Sequence, residues 1–416
     1  MYFDLIVVGG GAAGFFTAIT CAESWKNFGS SEKSVLILEK TSTLLQKVKI
    51  SGGGRCNVTH DCFEPRALSA NYPRGEKALI GPFHRFGAAD TVEWFASRGV
   101  SLKTEADGRM FPVTDSSQTI VNTLLNAAHA AGVTVHTSEG VTLIVKNEAP
   151  TTETARFALE TDAGNSYTAA NVLIATGGTR SAAGAKLAAS LGHELQPATP
   201  SLFTFKIKDP RIDGLSGLAV TPAEVSIHHS KLRSAGPVLI THWGLSGPGI
   251  LKISAWGARE LAERDYRFDI SVNWLPGLDP TGIIADKRKR DGKRQLSTKS
   301  PFAAIPKRFW QRLVAGAGVN EEMTWGQLSK KQIIALVNQL TASTFKVDGK
   351  STNKDEFVTC GGISLNEINF KTMESKLVPG LYFAGEVVDV DGVTGGFNFQ
   401  NAWTNGFHAG TDIAAQ

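Results

Sequence analysis

The sequence predicts an α/β fold in which a parallel-sheet domain is interrupted by a second, antiparallel β domain. Near the N-terminus, an apolar run, a glycine cluster, a helix-like segment and a second apolar run follow one another, as in a βαβ unit. After about Pro197, short alternating segments replace this pattern. From about Val358, glycine-rich turns and an apolar strand return. The first domain is therefore predicted to be discontinuous.

Length and composition exclude several classes of protein. A chain of 416 residues suggests roughly two to three domains, and 42% apolar with 20% charged residues argues against disorder. A net charge of +4 is too small to indicate a nucleic-acid or membrane partner. Four cysteines without a CxxC pair favour free thiols and no zinc site. The first residues do not resemble a signal peptide, so we expect a cytoplasmic protein.

The N-terminal elements are those of a Rossmann-type domain. Asp4–Val8 is a continuous apolar run typical of a strand buried on both faces. Ala12–Ala22 supplies the helix, and Ser34–Leu38 the second strand. Further helices are predicted near Ala88–Ser97 and Gln118–Ala131, with strands near Val100–Thr104, Val133–Thr137, Val141–Lys146, Ala155–Glu160, Ser166–Ala170 and Asn171–Ala175.

The insertion is predicted to be a β-barrel-like domain that carries a small helical subdomain. Its strands are predicted at Leu202–Ile207, Ala223–His228 and Val238–His242, and its helices at Lys307–Ala315 and Trp325–Leu340. The first domain is predicted at 1–196 and 358–416. Within the insertion, 197–275 is the β-barrel-like part, 276–340 the helical subdomain and 341–357 the return through the β domain. A basic stretch, Lys287–Arg294, is read as a solvated face, with an anionic partner as the alternative.

The motif Gly9-x-Gly11-x-x-Gly14 indicates a dinucleotide site. It follows a predicted strand and opens a predicted helix, whose N-terminal N–H groups and dipole favour a diphosphate. Glu39, at the end of the second strand, can accept hydrogen bonds from ribose hydroxyls and would repel a 2′-phosphate. The motif therefore predicts FAD or NAD rather than NADP.

The distant C-terminal block distinguishes FAD from NAD. Gly385 and Glu386 follow an apolar strand, Gly380–Gly385, where an acid can hold a ribityl chain. Gly395-Gly396 leads into a helix and can present N–H groups to the flavin N1/C2=O edge. Asn398 and Gln400 carry amide groups suited to the pyrimidine edge of the ring. This block favours FAD.

A second glycine-rich loop, Ser51–Thr59, follows the ribose-binding strand. Arg55 could donate two hydrogen bonds to phosphate. Cys56 lacks a partner at CxxC spacing, so a small buried thiol is favoured over a redox group.

The candidates for the substrate side are less specific. Thr241–Pro248 closes a β segment and starts a helix, and His242 and Trp243 are candidates for a substrate wall or for a capping role. Arg109, beside a turn, faces either a substrate or solvent. No catalytic residue is assigned.

The glycine motif, SGGGRCNVT and GLYFAGEVVDVDGVTGGFNFQNA resemble the BaiN/YhiN-like family of FAD-dependent oxidoreductases, which includes an aminoacetone oxidase. The resemblance spans almost the whole chain and implies a Rossmann-type FAD domain, an inserted β-barrel and a helical domain within it. His60 departs from the family, which usually has Asn there. The predicted cofactor-binding residues are Gly9, Gly11, Ala12, Ala13, Gly14, Glu39, Lys40, Lys47, Ser51, Gly52, Gly53, Gly54, Arg55, Cys56, Asn57, Thr176, Gly177, Gly385, Glu386, Gly395, Gly396, Asn398 and Gln400.

The leading interpretation is an oxidoreductase that transfers hydride between flavin N5 and a small organic substrate. No second Gly-x-Gly-x-x-Gly follows a later strand, so NAD(P)H, as a transient donor, would dock directly on the flavin. An amine oxidase that produces hydrogen peroxide is the first alternative. A flavin-containing nucleic-acid-binding protein that uses Lys287–Arg294 is the second, although no nucleic-acid, membrane or metal partner is expected.

Overall fold

A computed structural model describes residues 1–30, 32–147, 155–178, 183–351 and 358–416. The chain divides into two compact units: unit 1 is residues 1–200 with 354–416, and unit 2 is residues 201–353. These boundaries differ by a few residues from those predicted, and the predicted end of the returning segment at residue 357 lies outside the described residues. Within the described ranges, no helix has the length and apolar character needed to cross a bilayer.

The elements of both units are as follows. The strands are β1 (Tyr2–Val8), β2 (Val35–Glu39), β3 (Thr59–His60), β4 (Leu102–Thr104), β5 (Arg109–Pro112), β6 (Thr134–Thr137), β7 (Val141–Lys146), β8 (Phe157–Thr161), β9 (Ser166–Ile174), β10 (Leu195–Ser201), β11 (Thr204–Lys206), β12 (Ala219–Ile227), β13 (Arg233–Thr241), β14 (Gly244–Ser246), β15 (Arg267–Asn273), β16 (Ser343–Asp348), β17 (Lys350–Ser351), β18 (Val358–Ile363), β19 (Ile368–Asn369), β20 (Glu374–Ser375) and β21 (Leu381–Phe383). The helices are α1 (Ala12–Asn27), α2 (Gln46–Gly54), α3 (Pro65–Ser69), α4 (Glu76–Arg85), α5 (Ala88–Ala96), α6 (Ser117–Ala131), α7 (Ala183–Ser190), α8 (Pro248–Trp256), α9 (Ala258–Glu263), α10 (Pro280–Arg290), α11 (Lys307–Gly316), α12 (Lys330–Thr341) and α13 (Phe397–Ala414).

The central sheet of unit 1 runs β19-β20-β21-β9-β1-β2-β6, with the β7–β8 hairpin attached to β9. Strands β21, β9, β1, β2 and β6 are parallel, so their carboxyl ends lie along one edge. Open parallel sheets bind ligands at that edge. Leu5–Val8 of β1 is buried, as its apolar run predicts.

One strand differs from its prediction. Ser166–Ala170 and Asn171–Ala175 were expected as two strands, but β9 is continuous from Ser166 to Ile174. No turn residue separates the two segments, and Asn171 lies within the strand in register with Leu5 of β1. The first part of β9 also pairs with β8, which accounts for its length.

Helices α1 and α13 pack in direct contact because α13 carries glycines on the shared face. A Cβ on Gly406 would lie 3.1 Å from the Ala13 carbonyl oxygen, and one on Gly410 would lie 2.7 Å from the Thr17 carbonyl oxygen. Gly406 contacts Ala13, and the later residue Gly410 contacts the later residue Thr17, so the two helices run in the same direction. Glycine permits this approach because it has no side chain to separate the two backbones.

The sheet of unit 2 runs β16-β15-β12-β13-β14-β11-β17, and its pairings are antiparallel. Its two end strands, β16 and β17, are consecutive in the chain and joined by Gly349. The Gly349 carbonyl oxygen accepts a hydrogen bond from the Lys206 N–H, and the Gly349 N–H donates to the Tyr266 carbonyl oxygen, each at 2.9 Å. The two edges of the sheet therefore meet at this glycine, as in a barrel.

The helical part of unit 2 has its own aromatic core. Trp310 is buried, stacks on Trp325 at 6.0 Å and donates from Nε1 to the Leu296 carbonyl oxygen at 2.9 Å. The helix predicted over Trp325–Leu340 is divided into a 3-10 turn at Trp325–Gln327 and α12. Ser329 explains the break, because its side chain caps α12 in a capping box with Gln332.

Candidate functional site

The three motif glycines make the turn at the end of β1. Gly9 has φ +116°, and a Cβ there would lie 2.5 Å from the Ala175 carbonyl oxygen. A Cβ on Gly14 would lie 2.0 Å from the Gly9 carbonyl oxygen. The turn therefore depends on glycine at both positions, since helix α1 is pressed against the turn that precedes it.

The N-terminus of α1 is open to a ligand. Gly11 is its N-cap, and a Cβ built there meets no atom within 4 Å. Among the described residues, no side chain caps this end and its first turn, which contains Ala12 and Ala13, has no acid. Unpaired N–H groups, the helix dipole and free space next to Gly11 fit a diphosphate.

Glu39 supports the turn as well as facing the site. Its Oε2 accepts the Gly10 N–H at 2.8 Å, and its Oε1 accepts the backbone N–H and hydroxyl of Thr41 at 2.9 and 2.8 Å. A carboxylate has about four acceptor positions, so acceptor capacity remains for a ribose hydroxyl. Lys40 follows, exposed, at the end of β2.

The SGGGRCNVT segment is not a simple loop. It forms the end of α2, where regular helix gives way to extended backbone at Ser51 and left-handed backbone at Gly52 and Gly53. Gly54 also has positive φ, and Cβ atoms on Gly53 or Gly54 would meet nothing within 4 Å. The segment thus presents exposed backbone with no side chains in the way.

Arg55 is paired with protein carboxylates through Nη1, which leaves other donors of its guanidinium for the predicted phosphate contact. Its Nη1 donates to Glu105 Oε1 at 2.6 Å and lies 3.5 Å from Asp115. The guanidinium also lies 4.0 Å from the centre of the Phe111 ring. The hydrogen bond with Glu105 raises the pKa of Arg55 further. Arg109 shares this cluster through Glu105, with its Nη2 at 2.9 Å from Oε2.

Cys56 is a buried thiol, as the sequence indicates. It is fully buried, and burial raises the pKa of its thiol to about 12. A thiol with so high a pKa stays protonated and is a poor nucleophile. The cofactor contact predicted for Cys56 would have to come from its backbone, which adopts the left-handed region with φ 61°.

Two predicted residues distant in sequence meet at the carboxyl edge of the sheet. Lys47 of α2 forms an ion pair with Glu386, which follows β21. Glu386 also accepts the Thr359 N–H at 2.7 Å. A Cβ on Gly385 would lie 3.0 Å from the Ala13 side chain, so this segment lies on the first turn of α1. Thr176 and Gly177 follow β9 at the same edge.

The N-terminus of α13 has neither a side-chain cap from its N-cap residue nor an acid in its first turn. Gly396 is its N-cap, with φ 95°. Asn57 accepts the Gly396 N–H at Oδ1 and donates to the Thr59 carbonyl, each at 2.9 Å, in the amide orientation that satisfies both neighbours. The N–H of Gly396 is therefore held by Asn57 rather than free for flavin. Gly395, at φ 137°, precedes it.

Asn398 and Gln400 make structural hydrogen bonds within the protein. Asn398 accepts the Gly392 N–H at 2.8 Å and donates to the Gly392 carbonyl at 2.9 Å. Gln400 is fully buried, accepts from the Thr59 hydroxyl at 2.6 Å and donates to Thr404 at 3.1 Å. These bonds show that the two side chains position the loop and α13. Each amide keeps one further donor and one further acceptor position, and Asn398 is partly exposed, so its predicted flavin contact stays a prediction.

Sequence reasoning missed the residues that hold the C-terminal glycine segment. Asp391 is fully buried and paired with Arg74, and the Tyr72 hydroxyl donates to the Phe397 carbonyl at 2.6 Å. His60 stacks on the Phe397 ring at 4.8 Å. The sequence signal for these contacts is the pair of acids in the apolar stretch VVDVDGV. Acids in such a stretch are predicted to be buried, and buried carboxylates require partners.

Two of the three substrate-side candidates, His242 and Trp243, lie in unit 2, whereas Arg109 lies in unit 1. His242 and Trp243 are the two-residue turn between β13 and β14, and both are exposed. Thr241 fixes this turn, since its hydroxyl accepts the Trp243 N–H at 3.2 Å. Pro248 begins α8 at its first turn, as predicted. Lys206 Nζ lies 5.8 Å from the centre of the Trp243 ring.

The two helix N-termini suit an elongated ligand. Because α1 and α13 are parallel and Gly406 lies beside Ala13 and Thr17, the N-terminus of α13 extends about 9 Å beyond that of α1, at 1.5 Å per residue. A dinucleotide carries its diphosphate in the middle and a ring at one end. The site therefore fits FAD, with α1 for the diphosphate, Glu39 for the ribose and the α13 end for the flavin.

Comparison with known proteins identifies the family. A family model described as the HI0933-like protein Rossmann domain matches residues 3–412. The chain belongs to this HI0933-like family. It is thus an FAD-dependent oxidoreductase with a Rossmann fold, as the resemblance to BaiN/YhiN-like proteins implied.

Curated relatives cover the whole HI0933-like chain. A ribosomal RNA dihydrouridine synthase of Escherichia coli (strain K12) is 30% identical over 99% of this chain and 98% of its own. A 3-dehydro-bile acid delta(4,6)-reductase of Clostridium scindens is 27% identical over 98% of each chain. The crystal structure of 3-ketosteroid-delta4-(5alpha)-dehydrogenase from Rhodococcus jostii RHA1 has the same fold, with a TM-score of 0.55, 14% identity and coverage of 100% of this chain and 97% of that one.

Proposed function

We propose that this protein reduces a carbon–carbon double bond conjugated to a carbonyl group, and that its substrate is a uridine of ribosomal RNA. The observation that carries the proposal is the 30% identity, over nearly the full length of both chains, to a ribosomal RNA dihydrouridine synthase. Dihydrouridine is uridine with two hydrogens added across C5=C6, a bond conjugated to the C4 carbonyl. The proposal departs from the sequence-based expectation of no nucleic-acid partner.

The described residues support the cofactor half of such a reaction. Bound FAD, reduced by NADPH or NADH, supplies a hydride, and a proton completes the addition. The N-termini of α1 and α13 and the Glu39 carboxylate would hold the cofactor, with Glu39 at the ribose. Within unit 1, the described residues show no second glycine motif for a nicotinamide domain, so the donor would bind at the flavin itself.

A second candidate is reduction of a small conjugated ketone. The 27% identity to a 3-dehydro-bile acid delta(4,6)-reductase favours it, and it requires the same chemistry at the flavin. The two candidates differ in substrate size and charge rather than in reaction type. None of the relatives described above is an amine oxidase, so no similarity among them supports that alternative.

The test has two stages. First, FAD-loaded protein is mixed anaerobically with NADPH, NADH or a panel of primary amines, and flavin absorbance is followed; bleaching by a nicotinamide is expected. In the second stage, an unmodified ribosomal RNA transcript is incubated with the protein and the effective donor. The RNA is then digested to nucleosides, whose masses are measured by mass spectrometry. A uridine heavier by two hydrogens supports the proposal. Reduction of a conjugated steroid ketone alone would favour the second candidate, and bleaching by amines with peroxide release would overturn both.

A further inference from the structure

We propose that the exposed cations at one end of the helical part of unit 2 form an RNA-binding surface. This basic surface consists of Arg288, Lys289, Arg290, Lys293, Arg294, Lys330 and Lys331. The inference rests on the proposed function, because an enzyme that modifies ribosomal RNA must hold a polyanion far larger than the reacting base. Its role is to bind the sugar–phosphate backbone, independently of chemistry at the flavin.

Charge is concentrated in this part of the chain. Residues 276–340 contain twelve Lys and Arg against five Asp and Glu, a net charge of +7, whereas the whole chain has +4. The remainder of the chain therefore carries −3. An even distribution would give this segment less than one net positive charge, so the helical part is a distinct basic region on a chain that is otherwise slightly acidic.

Five of these cations have no partner of opposite charge among the described residues. They are exposed and form no ion pair there: Arg288, Lys289, Lys293, Lys330 and Lys331. By contrast, Lys287 binds Asp291 at 2.7 Å, and Arg294 lies 3.4 Å from the same carboxylate. Asp291 thus serves the local fold, while the five unpaired cations remain for an external anion.

Helix stability explains only part of these charges. Cations in the last turn of α10 interact favourably with the helix dipole. The same argument requires acids at a helix N-terminus, yet α11 begins with Lys307-Arg308 and α12 with Lys330-Lys331. Neither first turn carries an acid. Since these cations oppose the dipole, a role outside the fold is the better explanation for them.

Backbone pairing brings the cations from two helices to one end of the subdomain. The segment after α10 pairs with the segment before α12, because the Gly326 N–H donates to the Gly292 carbonyl at 2.9 Å and the Trp325 N–H donates to the Arg294 carbonyl at 3.1 Å. Lys330 and Lys331 follow Gly326 within five residues. The C-terminal end of α10 and the N-terminal end of α12 therefore share one basic surface.

The surface fits RNA better than a membrane. Helices that lie on membranes combine cations with an exposed apolar face that enters the lipid. In α10 the apolar side chain Ile284 is fully buried, and the exposed large apolar side chains of residues 276–340, Leu278 and Ile334, are single residues rather than a face. A row of exposed Arg and Lys, with Arg290 and Arg294 about 80% exposed, is instead the pattern that binds successive phosphates.

The experiment measures binding of FAD-loaded full-length protein to a fluorescent ribosomal RNA hairpin by anisotropy, over a series of salt concentrations. The variant is R288Q/K289Q/K293Q, which removes only unpaired cations and so leaves no carboxylate without a partner. The control is K208Q/K231Q/R233Q, which removes three exposed cations of unit 2 that likewise have no ion pair among the described residues. Thermal midpoints verify that both variants are folded.

We expect the test variant to bind RNA at least about tenfold more weakly at low salt. The slope of log affinity against log salt should fall by about 2 to 3, since each lost phosphate contact removes about 0.7 to 0.9. The control should bind as the wild type does. Equal weakening in both variants, wild-type affinity in the test variant, or stronger binding to phosphatidylglycerol vesicles than to RNA would each overturn the inference.

The inference and the proposed function fail differently. NADPH- or NADH-dependent flavin bleaching should be the same in wild type and test variant. If RNA is bound through the basic surface but no dihydrouridine forms, the proposed reaction is wrong and the surface stands. If dihydrouridine forms at the same rate in the test variant, the surface is overturned and the reaction stands.

Discussion

At the residue scale, Gly11 and Gly14 belong to one motif but have different surroundings, and this separates ligand binding from folding. A Cβ on Gly11 meets only free space, whereas one on Gly14 would lie 2.0 Å from the Gly9 carbonyl oxygen. The first glycine leaves room for the diphosphate, and the second permits the turn itself. The same substitution at each should therefore have different consequences.

We expect Gly11→Ala to leave the thermal midpoint of the apoprotein unchanged and to weaken FAD binding at least tenfold, about 1.4 kcal/mol, because its methyl group enters the diphosphate space. Gly14→Ala should lower the free energy of unfolding by about 1–3 kcal/mol because it forces helix and turn apart. Calorimetry and FAD titration of both apoproteins measure this. A destabilised Gly11→Ala apoprotein with normal FAD affinity would contradict the assignment.

His193 provides a test of stability against pH. Ser375 Oγ accepts the N–H groups of Leu377 and Val378 at 3.0 and 2.9 Å, so its own proton is available for His193 Nε2 at 2.8 Å. His193 Nδ1 can then donate to the Ala188 carbonyl at 3.2 Å. This network holds a neutral imidazole, and burial lowers the pKa of His193.

The sign of the pH effect follows from this lowered pKa. Below about pH 6.5 the unfolded chain takes up a proton at His193 that the folded protein resists, so stability is complete above that pH and falls as the pH decreases. His193→Gln should reduce the slope of unfolding free energy between pH 7 and 5, by at most about 1.4 kcal/mol per pH unit. Denaturant titrations at several pH values measure it. Parallel pH profiles for variant and wild type would disprove the neutral assignment.

At the element scale, the contact of α13 with α1 sets where the N-terminus of α13 lies. In the proposed cofactor site, α1 would contribute through Gly11 and α13 through Gly396. Gly410 is the tightest point of their contact, with the Thr17 carbonyl 2.7 Å from its Cβ position. Added volume there must displace one helix from the other, since the packed backbone cannot yield locally.

Gly410→Ala should therefore lower the free energy of unfolding by about 1–3 kcal/mol and also weaken FAD binding. Thr411→Ala, at the adjacent exposed position, is the control and should change neither quantity. Chemical denaturation with and without FAD measures both effects. Loss of stability with unchanged FAD affinity would show that the α13 end does not contribute to the cofactor site.

At the scale of the whole molecule, the proposed functions are divided between the units. The cofactor residues belong to unit 1, although they come from both ends of the chain, and the basic surface belongs to unit 2. Strands β10 and β18, which lead out of and back into unit 1, pair with each other. A short link between them can therefore replace the insertion.

Replacing residues 202–357 by a short Gly/Ser linker should leave FAD affinity within about tenfold of the full chain and abolish salt-dependent RNA binding. The physical reason is that the turn, the helix ends and Glu39 all lie outside the deleted segment. Flavin fluorescence and RNA anisotropy measure the two properties. A folded truncated protein that fails to bind FAD would mean that unit 2 holds the cofactor.

Sequence alone determined those features whose physical cause is local. The strand, glycine turn, helix and Glu39 lie within forty residues, and glycine spacing specifies the turn because backbone contacts there tolerate no Cβ. Apolar runs and the return of the pattern after Val358 were sufficient for the discontinuous α/β fold with its inserted β domain. The buried state of Cys56 and the start of α8 at Pro248 were also predictable.

Only the tertiary structure decided the partners of polar side chains. Arg55 and Gln400 have the right chemistry for phosphate and flavin, yet each also bonds a residue far from it in sequence, Glu105 and Thr59 respectively. The buried Arg74–Asp391 pair likewise joins residues separated by most of the chain. A sequence states which groups can donate or accept, but which of them meet depends on long-range packing, and buried polar groups must be paired once that packing is set.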